Sequence, residues 1–114
     1  MHRMSTPFET VEPARADIDA RRGPLLLEFG SPTCGWCRRA EPLVEQALAA
    51  FPGVPHVKVA DGPGQPLGRS FRVKLWPTLV FLRDGVEVAR AVRPPSSAPV
   101  SEGLRQLAAG AGAA

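Results

Sequence analysis

Only two cysteines and two histidines occur in these 114 residues, and their scarcity excludes several classes at once. Two cysteines are too few to staple a small secreted scaffold, so packing has to stabilise the fold. His2 and His56 both lie far in sequence from Cys34 and Cys37, so the four ligands of a closed zinc site are missing. His56, just before a strand, reads as a surface residue. No metal and no cofactor is expected.

Long apolar runs are also lacking. Met1 to Arg22 is polar, charged and broken by Pro7 and Pro13. No secretory signal or membrane span is read there, and a cytoplasmic location is expected. The net charge of +3 comes mostly from arginine, with no basic run and no repeated aromatic–basic interleaving. No nucleic-acid partner is expected. There are no internal repeats. The length suits one domain with a real core, residues 1–114, with 1–6 and 110–114 as loose, disordered ends.

What is present is a series of periodic segments separated by proline and glycine. Phe8 to Val11 suits a short edge strand, and Ala14 to Arg22 a short helix ended at Gly23-Pro24. Leu25 to Phe29 reads as a central strand covered on both faces, interrupted only by Glu28. Thr33 is placed as the cap of the next helix, where Ala40, Val44, Ala47 and Phe51 recur at helical spacing up to Pro52-Gly53. Pro42 inside that helix predicts a kink. Val54 to Ala60 gives a second buried strand, and Leu67 to Phe71 a short helical segment. Arg83-Asp84-Gly85 joins Leu79–Leu82 to Val86–Ala89 as a hairpin, because Asp-Gly accepts positive φ. Pro94 to Pro99 is a linker, and Val100 to Ala109 a closing helix. This order predicts an α/β fold of three layers: a mixed sheet of four or five strands with helices on both faces.

Cys34-Gly35-Trp36-Cys37 holds both thiols, two residues apart, just after the first buried strand. Backbone N–H groups at a helix N-terminus stabilise a thiolate, the reactive form of cysteine. A second thiol one turn on closes a small disulfide, so the pair can be oxidised and reduced together.

With that motif in that order of elements, the chain resembles the thioredoxin family from about Leu25 to Leu107. Glu28 stands where the family carries a buried acidic residue, usually aspartate. Pro42 matches the proline of the redox helix, and Trp76-Pro77-Thr78 resembles Ile-Pro-Thr, whose proline is cis and lies against the disulfide. The departures concern recognition. Thr33 replaces tryptophan, Gly35-Trp36 replaces Gly-Pro, and Val92-Arg93 stands where Val-Gly is common. The lysine that neighbours the family's acid falls at Val57, with Lys58 expected on the other face by strand alternation.

The resemblance implies a thiol–disulfide oxidoreductase. Cys34, more exposed, is the expected nucleophile, Cys37 the resolving thiol, and Glu28 the acceptor of the Cys37 proton. Pro77, if cis, leaves Trp76 N–H and C=O to pair with an extended substrate. Trp36 and Trp76 flank the cysteines, and Arg38, Arg39, Arg72, Lys74 and Arg93 form a basic rim. Trp36 adds no positive charge between the cysteines, so a reducing or intermediate potential is expected. Substrates would be protein or small-molecule disulfides, recycled by a reductase or glutathione, with the protein a monomer. The rival reading is a binding or redox-sensing module without turnover.

Overall fold

Proline and glycine divide the chain into eight elements across residues 5–111, the part described by the computed structural model. In order they are α1 (Arg15–Ala20), β1 (Pro24–Gly30), α2 (Gly35–Leu48), β2 (His56–Ala60), α3 (Pro66–Ser70), β3 (Thr78–Arg83), β4 (Val86–Val92) and α4 (Ala98–Ala111). The sheet has four strands in the order β2-β1-β3-β4. β1 runs parallel to β2 and antiparallel to β3, and β4 completes the hairpin. The expected mixed α/β fold is the observed one.

Alternation along β1 builds two cores. Leu25, Leu27 and Phe29 meet Val59, Val80 and Leu82, together with Ile18 of α1 and Leu67 of α3. Leu26 points the other way, towards Leu79 and Phe81, Val44 and Leu48 of α2, and Leu104 and Leu107 of α4. β1 is therefore apolar at almost every position because both of its faces are covered. Glu28 lies on the α2 side, as the second position after Leu26.

Gly103 fixes how closely α4 approaches the sheet. Three ring atoms of Phe81 lie 2.5–2.6 Å from where a Cβ on residue 103 would stand. Phe81 is fully buried and has nowhere to retreat. Gly103→Ala gains about 1 kcal/mol of helix propensity but forces an overpacked contact costing about 1–3 kcal/mol. The expected result is a net loss of stability in urea denaturation, and an unchanged or raised midpoint would contradict it.

Several boundaries differ from the sequence reading. Phe8 to Val11 forms no strand: Phe8 makes one isolated bridge to Lys58, and Glu9 N–H reaches Lys58 O at 2.8 Å. The chain then turns away, and Glu12 accepts the Leu67 N–H at the start of α3, 2.8 Å away. α1 is shorter than Ala14–Arg22, with Arg21 already extended at its C-cap. α2 ends at Leu48, leaving Phe51 to pack from the following turn. β2 starts at His56 because Pro55 has no N–H for the ladder, although its carbonyl accepts from Leu26. The hairpin turn places Asp84 at φ 51° and Gly85 at φ 78°, both left-handed as a two-residue turn requires. β4 extends to Val92, and α4 starts at Ala98 with Pro99 in its first turn, where a missing N–H costs nothing. Gly110 and Ala111, expected in a loose end, continue α4, whereas 1–4 and 112–114 lie outside the described residues.

One correction bears on the site. Glu28 pairs in register with Lys58, and Leu27 with Val57. Register partners in a sheet share a face, so Lys58 lies on the Glu28 side and Val57 on the opposite one.

Candidate active site

The loop after β1 is held by its own short bonds. Cys34 N–H donates to Ser31 O at 3.2 Å, and Thr33 N–H to Ser31 Oγ at 3.3 Å. Thr33 is consequently not the helix cap. Its hydroxyl faces the Ser31 hydroxyl at 3.2 Å, and the cap is Cys34, in extended conformation at φ −82°, ψ 119°. The Cys34 sulfur accepts the Cys37 N–H at 3.2 Å. A sulfur thus takes the place that a serine or aspartate oxygen usually fills, at the positive end of a fourteen-residue helix.

The two thiols are free and unequal: Cys34 is half-buried, and Cys37 is buried at 4% exposure. Gly30, the last residue of β1, makes room for the Cys37 side chain, since a Cβ there would stand 2.8 Å from Cys37 Sγ. Burial pushes the Cys37 thiol up to about 12, the hydrogen bond with the Cys34 side chain adds to this, and the nearby Glu28 charge contributes further. Such a thiol stays protonated at pH 8. Iodoacetamide on the reduced native protein at pH 8 is therefore expected to label Cys34 and spare Cys37. Comparable labelling of both, read by peptide mass mapping, would contradict this.

Behind the thiols, Glu28 is buried at 2% exposure, and its Oε1 lies 2.8 Å from His56 Nε2. The His56 side chain is itself only 3% exposed. The sequence reading placed His56 on the surface. Instead it sits diagonally across from Glu28 on the same sheet face, and glutamate, one methylene longer than aspartate, reaches it. Lys58 turns elsewhere, with its Nζ 3.4 Å from Glu41 Oε2 and 4.7 Å from the Phe8 ring centre.

The opposite wall is the loop before β3, where the Trp76–Pro77 peptide bond is cis. Trp76 Nε1 donates to Asp61 Oδ2 at 2.9 Å, and Asp61 N–H donates to Gly30 O at 2.8 Å. Asp61 therefore ties the Trp76 indole to the end of β1. Asp61 is not among the residues singled out from the sequence, and its place directly after β2 was the available signal. Arg93 Nε donates to Trp76 O at 2.8 Å, and Arg93 N–H to Pro77 O at 2.9 Å. The Trp76 carbonyl, expected to be open for substrate, is covered by this guanidinium. Trp36 remains 46% exposed, with the guanidinium carbons of Arg39 and Arg93 at 4.4 and 4.9 Å from its ring. Of the expected basic rim these two arginines converge, lining a cavity of about 270 Å³ with Trp36. Arg38, Arg72 and Lys74 are simply exposed.

A half-exposed thiol capping a helix and a buried thiol one turn inside it, on a three-layer α/β frame, define a thiol–disulfide oxidoreductase. Comparison with known proteins agrees. The thioredoxin family model matches residues 8–105, and the chain belongs to the thioredoxin family. The solved structure of reduced thioredoxin 2 from Pseudomonas aeruginosa PAO1 is 50% identical, with a TM-score of 0.84 over 94% of this chain and 99% of that one. Thioredoxin from Haemophilus influenzae is 32% identical over 93 residues, 81% of each chain. A segment of protein disulfide-isomerase A2 from Pongo abelii is 45% identical over 65 residues, which are 54% of this chain but 12% of that protein.

Proposed function

We propose that this protein reduces or exchanges protein disulfides, acting as a single-domain monomer in the cytoplasm. The observation that carries the reading is the inequality of the two thiols: Cys34 half-exposed at a helix N-terminus, Cys37 buried and held protonated. The Cys34 thiolate attacks one sulfur of a substrate disulfide, and the other leaves as a thiolate. Cys37 then loses its proton to Glu28 and attacks Cys34, releasing the reduced substrate and leaving Cys34–Cys37 oxidised. Burial of Cys37 keeps the second step waiting until the mixed disulfide has formed. A reductase or glutathione returns the pair to dithiol.

Trp36 and Trp76 supply apolar walls for the substrate chain, and Pro77, lacking an N–H, leaves the loop before β3 unable to close a ladder there. Arg93 limits access. It sits at φ 47°, a left-handed conformation that disfavours a side chain, and spans the Trp76 carbonyl. Arg93→Gly is expected to release that carbonyl and lower KM for peptide disulfides by up to about tenfold, the worth of one hydrogen bond. A raised KM would mean that Arg93 binds substrate rather than covering its site.

The test of the reading is reduction of insulin by sub-stoichiometric protein, with the thiol pair equilibrated in parallel against a glutathione buffer. Multiple turnovers are expected, with a potential near or below the cytosolic poise of about −220 to −260 mV. A potential near the roughly −120 mV of strong oxidants would reverse the proposed direction. Absence of turnover would favour a binding or sensing module.

A further inference from the structure

The Glu28–His56 pair is buried on the side of the sheet that α2 covers, with His56 Nε2 2.8 Å from Glu28 Oε1 and side-chain exposures of 3% and 2%. We propose that His56 is a positioning residue for the release step, holding the Glu28 carboxylate ready to take the proton of Cys37. This rests on the disulfide-exchange reading above.

His56 Nδ1 is buried and has no hydrogen-bond partner among the described residues. A proton on Nδ1 would be a stranded donor in an apolar site, whereas a bare lone pair there costs less. The geometry therefore selects the neutral imidazole with its hydrogen on Nε2, donating to Glu28 Oε1. A hydrogen bond to a carboxylate is among the stronger ones, and it fixes where the Glu28 carboxyl group points.

The other titratable groups on this face do not take that role. Lys58, the register partner of Glu28, is directed to Glu41. The Ser5 hydroxyl first, and then the Lys58 ammonium, hold the Glu41 carboxyl below its ordinary range, so that lysine is already engaged. Cys37, Glu41 and Glu45 recur at four-residue spacing along α2, and of these Cys37 is the thiol influenced by the Glu28 charge. α4 meets this core through Val100, Leu104 and Leu107, while its Glu102 and Arg105 pair with each other outside.

In the release step the Cys37 S–H proton passes to Glu28, and the Cys37 sulfur forms the bond to Cys34. The bond between Cys34 and substrate breaks, and the substrate sulfur leaves as a thiolate. The two protein thiols lose two electrons, which the substrate disulfide gains. His56 keeps its proton throughout and acts only through Glu28.

The test is the pH dependence of release from a preformed mixed disulfide with a model peptide, in wild type, His56→Leu and His56→Gln. Leucine removes the donor, and the acid limb of the release profile is expected to move to higher pH by about one to two units. The first attack, measured separately in a Cys37→Ser background, should be unchanged. Glutamine restores an N–H donor, so its release profile should return to that of wild type. Superimposable profiles for wild type and His56→Leu would overturn the proposal, as would a glutamine variant that follows leucine. Should His56→Leu not fold, ¹⁵N spectra of the wild-type imidazole decide: the neutral Nε2–H tautomer supports the proposal, and the Nδ1–H or doubly protonated form overturns it. Failure of the exchange reading looks different, with no mixed disulfide in any variant at any pH, and it would remove this inference as well.

Discussion

Replacing Cys34 by serine is expected to lower the disulfide-reduction rate by at least about 10³-fold while leaving the fold intact. The loss follows from chemistry: a hydroxyl is scarcely ionised at neutral pH and cannot form the mixed disulfide. The survival of the fold follows from position. Cys34 is the N-cap of α2, and its side chain accepts the Cys37 N–H. Serine is among the best residues for that task, so the helix keeps its cap. Insulin turnover and thermal unfolding measured on one preparation separate the two effects. Substantial residual turnover would mean that Cys34 is not the attacking thiol, and a collapse of stability would mean that its sulfur does more than cap.

The second large effect concerns Gly30, a residue with no functional group. Any side chain at this position places a Cβ 2.8 Å from Cys37 Sγ, so the sulfur must move, either by turning about its own side chain or by a shift of β1 against the first turn of α2. Gly30→Ala is expected to cost about 1–3 kcal/mol of stability by overpacking. Release should slow further, by up to about 10²-fold, because displacing a reacting sulfur by about 1 Å is enough for that loss. The double variant Gly30→Ala with Cys37→Ala removes the clash and should recover most of the stability. If the single variant is as stable and active as wild type, the close packing of strand and thiol is not a constraint on the site.

What was legible in the sequence is what is encoded locally. The apolar run of β1, the Asp84-Gly85 turn and the spacing of Cys34 and Cys37 each identify themselves within a few residues. The family resemblance then carried Glu28, Pro42 and Pro77. The errors concentrate where a contact depends on register or on a bond between distant segments. Lys58 was put on the wrong face because a shift of one residue between parallel strands inverts every side chain, and nothing in the five residues of β2 sets that register alone. A lone histidine just before a strand reads as surface, and the partner that buries His56 is 28 positions away.

The cap was misplaced by one residue for a different reason. Threonine is the ordinary choice at that position, and the Ser31 hydroxyl had already engaged it. Arg93 on the Trp76 carbonyl had no local signal either. It depends on a left-handed residue at the end of β4 that turns its guanidinium back over the loop before β3.

The claim that Cys34 attacks and Cys37 resolves is tested most directly with Cys37→Ser and a peptide disulfide, analysed by mass spectrometry without reductant. The account predicts a stable adduct of one peptide thiol on Cys34, accumulating because no buried thiol remains to release it. Absence of any adduct, with Cys34 still free and the protein folded, would contradict it.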